Sequence, residues 1–189
     1  MRMLRHHTAH ESPVPLIRPC LPSDMPAITA IYGHHVRFGF ASFETEPPGL
    51  AEMTRRREDV LGKGLPYLVA EQDGVVLGYA YAGTYRPRAA YRDTVENSIY
   101  IRDDAVGQGV GRALLPALVA ECEARDVRQM IAVIGDSGNQ ASIRLHASCG
   151  FRMVGVLEAV GFKLGRWLDS VLMQKRLGRG ADAPPGSGR

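Results

Sequence analysis

Six residues late in the chain, Gly107-Gln108-Gly109-Val110-Gly111-Arg112, constrain the fold more than any other stretch. They follow an alternating apolar run at 94–101 that reads as a strand. They precede Leu114, Leu118 and Cys122, which recur every fourth residue on one helix face. Alternate glycines let a phosphate approach the main chain closely, and the N–H groups and macrodipole of a helix start supply positive potential there. Such a run alone is weak evidence, because many tight turns contain one. The dinucleotide fingerprint is Gly-x-Gly-x-x-Gly on an early βαβ unit with an acid about 20 residues on. Here the loop comes after three strands joined as hairpins, so the doubly wound sheet does not fit.

The remaining punctuation gives the order of elements. Residues 16–18 read as a short strand, and Ser23 or Asp24 as the cap of a helix bearing Ile28, Ile31, Tyr32 and Val36. Residues 39–49 read as a loop carrying Phe40 and Phe43, and 50–61 as a second helix whose Arg55-Arg56-Arg57 run is expected to be a solvated face. Strands at 67–71 and 75–85 meet at the hairpin signal Asp73-Gly74. After the glycine loop and its helix come a buried strand at 130–134, a helix at 139–148, and strands at 151–157 and 168–173. The order β-α-α-β-β-β-α-β-α-β-β predicts a mixed α/β sandwich. Pro116 falls inside the third helix, where it removes a backbone donor and predicts a kink.

Composition bounds the chemistry. With 189 residues, 45% hydrophobic, one domain can bury a full core without disulfides or structural metal. Cys20, Cys122 and Cys149 are odd in number and unpaired in spacing, which argues against a disulfide framework and a zinc site. No apolar run reaches the length of a membrane span, so the expected location is cytoplasmic with no membrane partner. A net charge of +3 is too small to argue for nucleic acid. Residues 1–14, with His6, His7 and His10, and 178–189, rich in Gly and Pro, are expected to be a disordered leader and tail around a domain at 15–177.

With that order of elements, residues 106–111 resemble the pyrophosphate motif of the GNAT superfamily of N-acetyltransferases, Arg/Gln-x-x-Gly-x-Gly/Ala, with Val106 where the family usually has Arg or Gln. The resemblance implies a mixed, mostly antiparallel seven-stranded sheet with helices on both faces, its fourth and fifth strands splayed around acetyl-CoA, and no metal. Four longer runs narrow it: ASFETEPP from Ala41, YRPRAAYRDTVENSIYIRDDAVGQGVGRALL from Tyr85, GNQASIRLH from Gly138 and VGFKLGRWLDSVLMQ from Val160. They are similar to the phosphinothricin and methionine sulfoximine N-acetyltransferases. Implied is direct acetyl transfer, without a protein nucleophile, to the primary amine of a small acidic amino-acid-like substrate, by a homodimer engaged in detoxification.

The resemblance also assigns roles. Glu96 is the candidate general base for the α-ammonium, against a plain reading as a solvent-facing strand residue. His146 stands where many relatives place a tyrosine that protonates the leaving thiolate; an imidazole can do this, or it can be a satisfied helix histidine. For the cofactor, Gly107, Gln108, Gly109, Val110, Gly111 and Arg112 are expected at the pyrophosphate, and Ile99, Tyr100 and Ile101 offer backbone groups to the pantetheine arm. Asn139 is expected to contact that arm, cap its helix, or both. Arg86, Pro87 and Arg88, with Glu96, Asn97 and Ser98, are expected at the acceptor, where a guanidinium fork suits an acidic group. Phe40 and Phe43 either line the mouth or simply pack, and Trp167 is a packing anchor or a dimer contact. Two rivals remain: the same chemistry on another amine, and a non-catalytic acyl-CoA sensor. A polyamine would want acidic pocket residues, against which Arg86 and Arg88 speak; intact Glu96 and His146 speak against the sensor.

Overall fold

The computed structural model describes residues 14–184 and 186. The leader expected at the N-terminus lies outside the described residues, apart from Val14. Seven strands, β1 (Leu16–Pro19), β2 (Tyr67–Gln72), β3 (Val75–Thr84), β4 (Thr94–Ile101), β5 (Gln129–Gly135), β6 (Arg152–Lys163) and β7 (Arg166–Arg176), form one open sheet in the order β1-β2-β3-β4-β5-β7-β6. Every pairing is antiparallel except that of β4 with β5. Helices α1 (Met25–Phe38), α2 (Leu50–Gly62), α3 (Val110–Ala124) and α4 (Gln140–Ser148) complete the predicted order.

Strand alternation sends side chains to two cores. Tyr67 and Val69 of β2 pack with Ile28, Ile31 and Val36 of α1, while Leu68 and Ala70 face Leu114, Leu115 and Leu118 of α3. On β3 the register shifts opposite Ala70 and Glu71. The extra residue there makes a bulge, so Val76 and Tyr79 share one face although they are three residues apart. Beside the bulge, Gly78 has no room for a side chain: a Cβ would come within 2.9 Å of the Tyr100 carbonyl oxygen.

Several local expectations change. Asp24 does not cap α1 through its side chain. Its carboxylate instead accepts from Arg18 Nη1 at 2.7 Å, Arg18 Nη2 at 2.9 Å and the Leu21 N–H at 2.7 Å, which holds its pKa below the usual carboxylate range. The arginine run is not one solvated face. Arg55 is exposed, Arg56 pairs with Glu44, and Arg57 is buried, donating from Nη2 to the Cys20 carbonyl at 2.6 Å and from Nε to its sulfur at 3.3 Å. Consecutive helix residues point about 100° apart, so such a run must divide among environments. Truncating Arg57 leaves that buried carbonyl unsatisfied; Arg57→Ala is expected to lower stability by about 1–3 kcal/mol, read in a urea melt.

The third helix runs unbroken through Pro116. Pro116 and Arg112 are both exposed, so the Arg112 carbonyl deprived of its N–H donor can turn to water. Beyond β7, residues 178–184, where composition predicts disorder, form turns: Arg128 donates to the carbonyls of Gly180 at 3.3 Å and Pro184 at 3.2 Å.

Candidate active site

β4 and β5 stay in register only from Thr94↔Gln129 to Asn97↔Ala132. Beyond that point β4 continues along β3 and β5 continues along β7, so the two strands part. A cavity of about 1070 Å³ fills the opening and reaches both faces of the sheet. Alternation divides the walls. Val95, Asn97, Ile99 and Ile101 point toward α3 and α4; Glu96, Ser98 and Tyr100 point toward α1 and the loop after it.

The α3 side is built for an anion. Gly107 and Gly109 have φ of 84° and 85°, a conformation that side chains rarely adopt, and the turn they make aims the start of α3 at the cavity. No side chain caps this helix, so its first N–H groups remain available to a ligand. Gly107, Gly109, Val110, Gly111 and Arg112 line the cavity. Gln108 does not: its amide donates to the Asp104 carbonyl at 2.7 Å and its N–H to the Ala105 carbonyl. Gly111 serves a different end, since a Cβ there would meet Leu145 Cδ2 of α4 at 2.9 Å. Val106 is exposed at the rim. Asn139 lines the cavity and caps α4, its Oδ1 accepting from the Ser142 N–H at 3.2 Å.

Of the segment Ile99-Tyr100-Ile101, two residues turn their backbones to the opening. The Arg102 N–H donates to Leu77 of β3, so by alternation Tyr100 and Ser98 also face β3, whereas Ile99 and Ile101 face the gap. The Ile101 carbonyl already lies 2.8 Å from His35 Nε2, which leaves Ile99 the less encumbered. Tyr100 contributes its ring instead, half-buried and edge-on against Tyr32 at 5.0 Å. An elongated ligand with a phosphorylated end and amide N–H and C=O groups along its length matches these walls; the geometry fits acetyl-CoA.

On the α1 side, Glu96 is half-buried with no ion-pair partner among the described residues, and burial alone raises its carboxyl above the usual range. Near it stand groups that sequence reasoning missed. Glu44 accepts from Tyr32 Oη at 2.8 Å and Arg56 Nη1 at 2.6 Å, and Tyr32 also bonds Ser42 Oγ at 2.9 Å. Burial, with Glu44 beside it, pushes the Tyr32 phenol up to about 12. Buried Lys163 donates to the carbonyls of Gly39 at 2.8 Å and Ser42 at 2.6 Å, pinning this loop to the β6–β7 hairpin. Phe43 lines the mouth and also packs, since a Cβ on Gly161 would lie 2.6 Å from its ring; Phe40 lies 4.0 Å from the Arg166 guanidinium. The signals for these contacts were the ASFETEPP run, which holds Ser42, Phe43 and Glu44, and the run from Val160, which holds Lys163; Tyr32 carries no local motif.

Arg86, Pro87 and Arg88 do not line the cavity. All three are exposed, and Arg86 stacks on Tyr85 at 5.2 Å and Tyr91 at 5.9 Å. Asn97 and His146 meet in the cavity wall, at 5% and 2% exposure. No helix of the described residues is long and apolar enough to cross a membrane.

Comparison with known proteins agrees with this geometry. The profile of the Acetyltransferase (GNAT) family matches residues 28–151, more than half of the chain. The phosphinothricin N-acetyltransferase of Alcaligenes faecalis is 60% identical over 169 residues, which is 89% of this chain and 86% of that protein. The L-methionine sulfoximine/L-methionine sulfone acetyltransferase of Pseudomonas aeruginosa is 42% identical over 89% of this chain and 98% of that one. The crystal structure of a GNAT superfamily phosphinothricin acetyltransferase from Sinorhizobium meliloti, in complex with AcCoA, superposes with a TM-score of 0.90 at 45% identity, covering 93% of this chain and 95% of the other. With relatives of this identity matched almost end to end, the chain belongs to the acetyltransferase (GNAT) family and is an acetyl-CoA-dependent N-acetyltransferase.

Proposed function

We propose that the acceptor is the α-amine of a small acidic amino-acid-like molecule, phosphinothricin, methionine sulfoximine or a related methionine derivative, and that Glu96 is the base. The carrying observation is the half-buried Glu96 carboxyl at the point where the cavity crosses the sheet. An α-ammonium is largely protonated at neutral pH, and a carboxylate of raised pKa takes its proton directly or through one water. Bound acetyl-CoA supplies the thioester carbonyl for attack. Ile99 N–H donates to the oxygen on which charge develops, and the start of α3 holds the pyrophosphate. Both sides open into one cavity, which supports direct transfer in a ternary complex.

The preference for an acidic acceptor rests on the relatives, whose names carry phosphinothricin and methionine sulfoximine. The position of Arg86 and Arg88 outside the cavity favours a second reading, a neutral amino acid or other small amine. Thiol release with a panel of acidic, neutral and polycationic amines separates them. Turnover preferring phosphinothricin and methionine sulfoximine supports the proposal, and selective turnover of a neutral or polycationic amine sinks it. Absence of thiol release with every amine would sink the base assignment too.

We also propose a homodimer engaged in detoxification as the working form, as the resemblance implies. Edge strand β6 exposes Val154, Val156, Leu157, Val160 and Phe162, and Trp167 of β7 stands beside Phe162 at 64% exposure. Trp167 is therefore no internal packing anchor. A long apolar edge is a pairing hazard unless covered, and a second copy would cover it. Sedimentation is expected to give a dimer, and Trp167→Glu a monomer; a monomeric wild type rejects the assignment.

A further inference from the structure

The imidazole of His146 is held from both sides. Nδ1 lies 2.8 Å from the Ser142 carbonyl oxygen, with the Ser142 hydroxyl farther off at 3.4 Å. A carbonyl can only accept, so Nδ1 carries the proton. Nε2 lies 2.9 Å from Asn97 Nδ2, and Phe151 covers the ring edge-on at 5.1 Å. Burial favours the neutral imidazole, whose Nε2 lone pair then accepts from the Asn97 amide. That bond settles which way the carboxamide points: Nδ2 toward α4, Oδ1 away from it. Asn97 Oδ1 is itself buried and has no hydrogen-bond partner among the described residues. A buried acceptor left unpaired is costly, and cavity walls are where such an atom meets a ligand donor.

Asn97 is also the last residue of β4 in register with β5, and it points to the α3–α4 side of the cavity with the glycine turn and Asn139. We infer that His146 is a positioning residue for Asn97, whose Oδ1 accepts an N–H from the pantetheine arm of acetyl-CoA, and that His146 is not the acid for the leaving thiol. An acid would need a proton on Nε2, the atom that Asn97 occupies from the other direction. The identity of the donor rests on the acetyl-transfer assignment; the tautomer and the amide orientation do not.

Nitrogen-detected NMR of the ligand-free protein is expected to show one neutral His146, protonated on Nδ1, across about pH 6 to 8, where an unperturbed imidazole titrates. An imidazolium, or a proton on Nε2, overturns the inference without any activity measurement. Calorimetry with acetyl-CoA is the second arm. Asn97→Leu and His146→Leu are each expected to weaken binding about tenfold, and the double variant no further than either, because the two act as one unit. His146→Gln places an amide oxygen near the Nε2 position and is expected to recover affinity to within about threefold, with the wild-type pH–rate profile. If the Gln variant falls as far as the Leu variant and a limb of that profile disappears, His146 is an acid or base and the inference fails. Unchanged cofactor affinity with a raised KM for the amine would move the Oδ1 contact to the acceptor and overturn its assignment to the cofactor. Should the Leu variants not fold, the NMR result on the wild type decides. A wild type that transfers to no amine would sink the proposed function, while the tautomer would still be tested.

Discussion

Glu96→Gln is expected to lower acetyl transfer at pH 7 by about 10² to 10⁴, the usual effect of losing a general base. The variant keeps the shape and hydrogen-bonding capacity of the side chain but removes its affinity for a proton. Acetyl-CoA affinity should change by no more than a few-fold, because the cofactor side of the cavity is on the opposite face of β4 from Glu96. Two pH signatures go with it. Wild-type rate should rise with pH through the raised carboxyl of Glu96, and the rate of the variant should recover in part where the free amine becomes abundant. Stability should move the other way. A carboxyl whose folded pKa lies above its unfolded value contributes stability that is full below the unfolded pKa and lost as pH rises through the folded one. At pH 7 the wild type therefore carries a penalty that Gln lacks, and Glu96→Gln should melt higher at pH 7 than the wild type, a difference that shrinks toward acid. Near-wild-type turnover at pH 7 would place the base elsewhere.

Gly109→Val should abolish the response to acetyl-CoA. A ligand at 100 times its dissociation constant stabilises a fold by about 2.7 kcal/mol, or roughly 5–10 °C in Tm for a chain of this size. At Gly109, φ is 85°, and a β-branched residue there costs on the order of 1–3 kcal/mol unless the turn changes. A changed turn swings the N–H groups at the start of α3 away from the cavity. Thermal melts with saturating acetyl-CoA should then show a shift for the wild type and none for the variant. Gly111→Val offers a contrast. Its Cβ meets Leu145, so the damage falls on α3–α4 packing and should lower Tm even without ligand. A full acetyl-CoA shift in Gly109→Val would mean that the loop does not hold the phosphates.

Local signals account for most of what the sequence determined. Strand alternation, the Asp73-Gly74 turn and the four-residue spacing of Leu114, Leu118 and Cys122 depend on neighbours along the chain, and they fixed the order of elements. The glycine run gave the start of α3 because the conformations of Gly107 and Gly109 are unavailable to most residues. Glu96 and the strand around it were legible through the run TVENSIYI, where residue types, resemblance and chemistry coincided.

Tertiary structure decided the rest. The parting of β4 and β5 after Asn97 has no local signature, because it follows from each strand keeping a different outer partner. Arg57 read as a surface cation and Lys163 had no reading of its own, yet both are buried against backbone carbonyls far away in sequence, and only the packed fold supplies those acceptors. Arg86 and Arg88 read as a substrate fork, but the loop that carries them leaves both in solvent. The protonation of His146 was open for the same reason: an imidazole takes its tautomer from what surrounds it, and here a carbonyl one helical turn back and an amide on β4 make that choice.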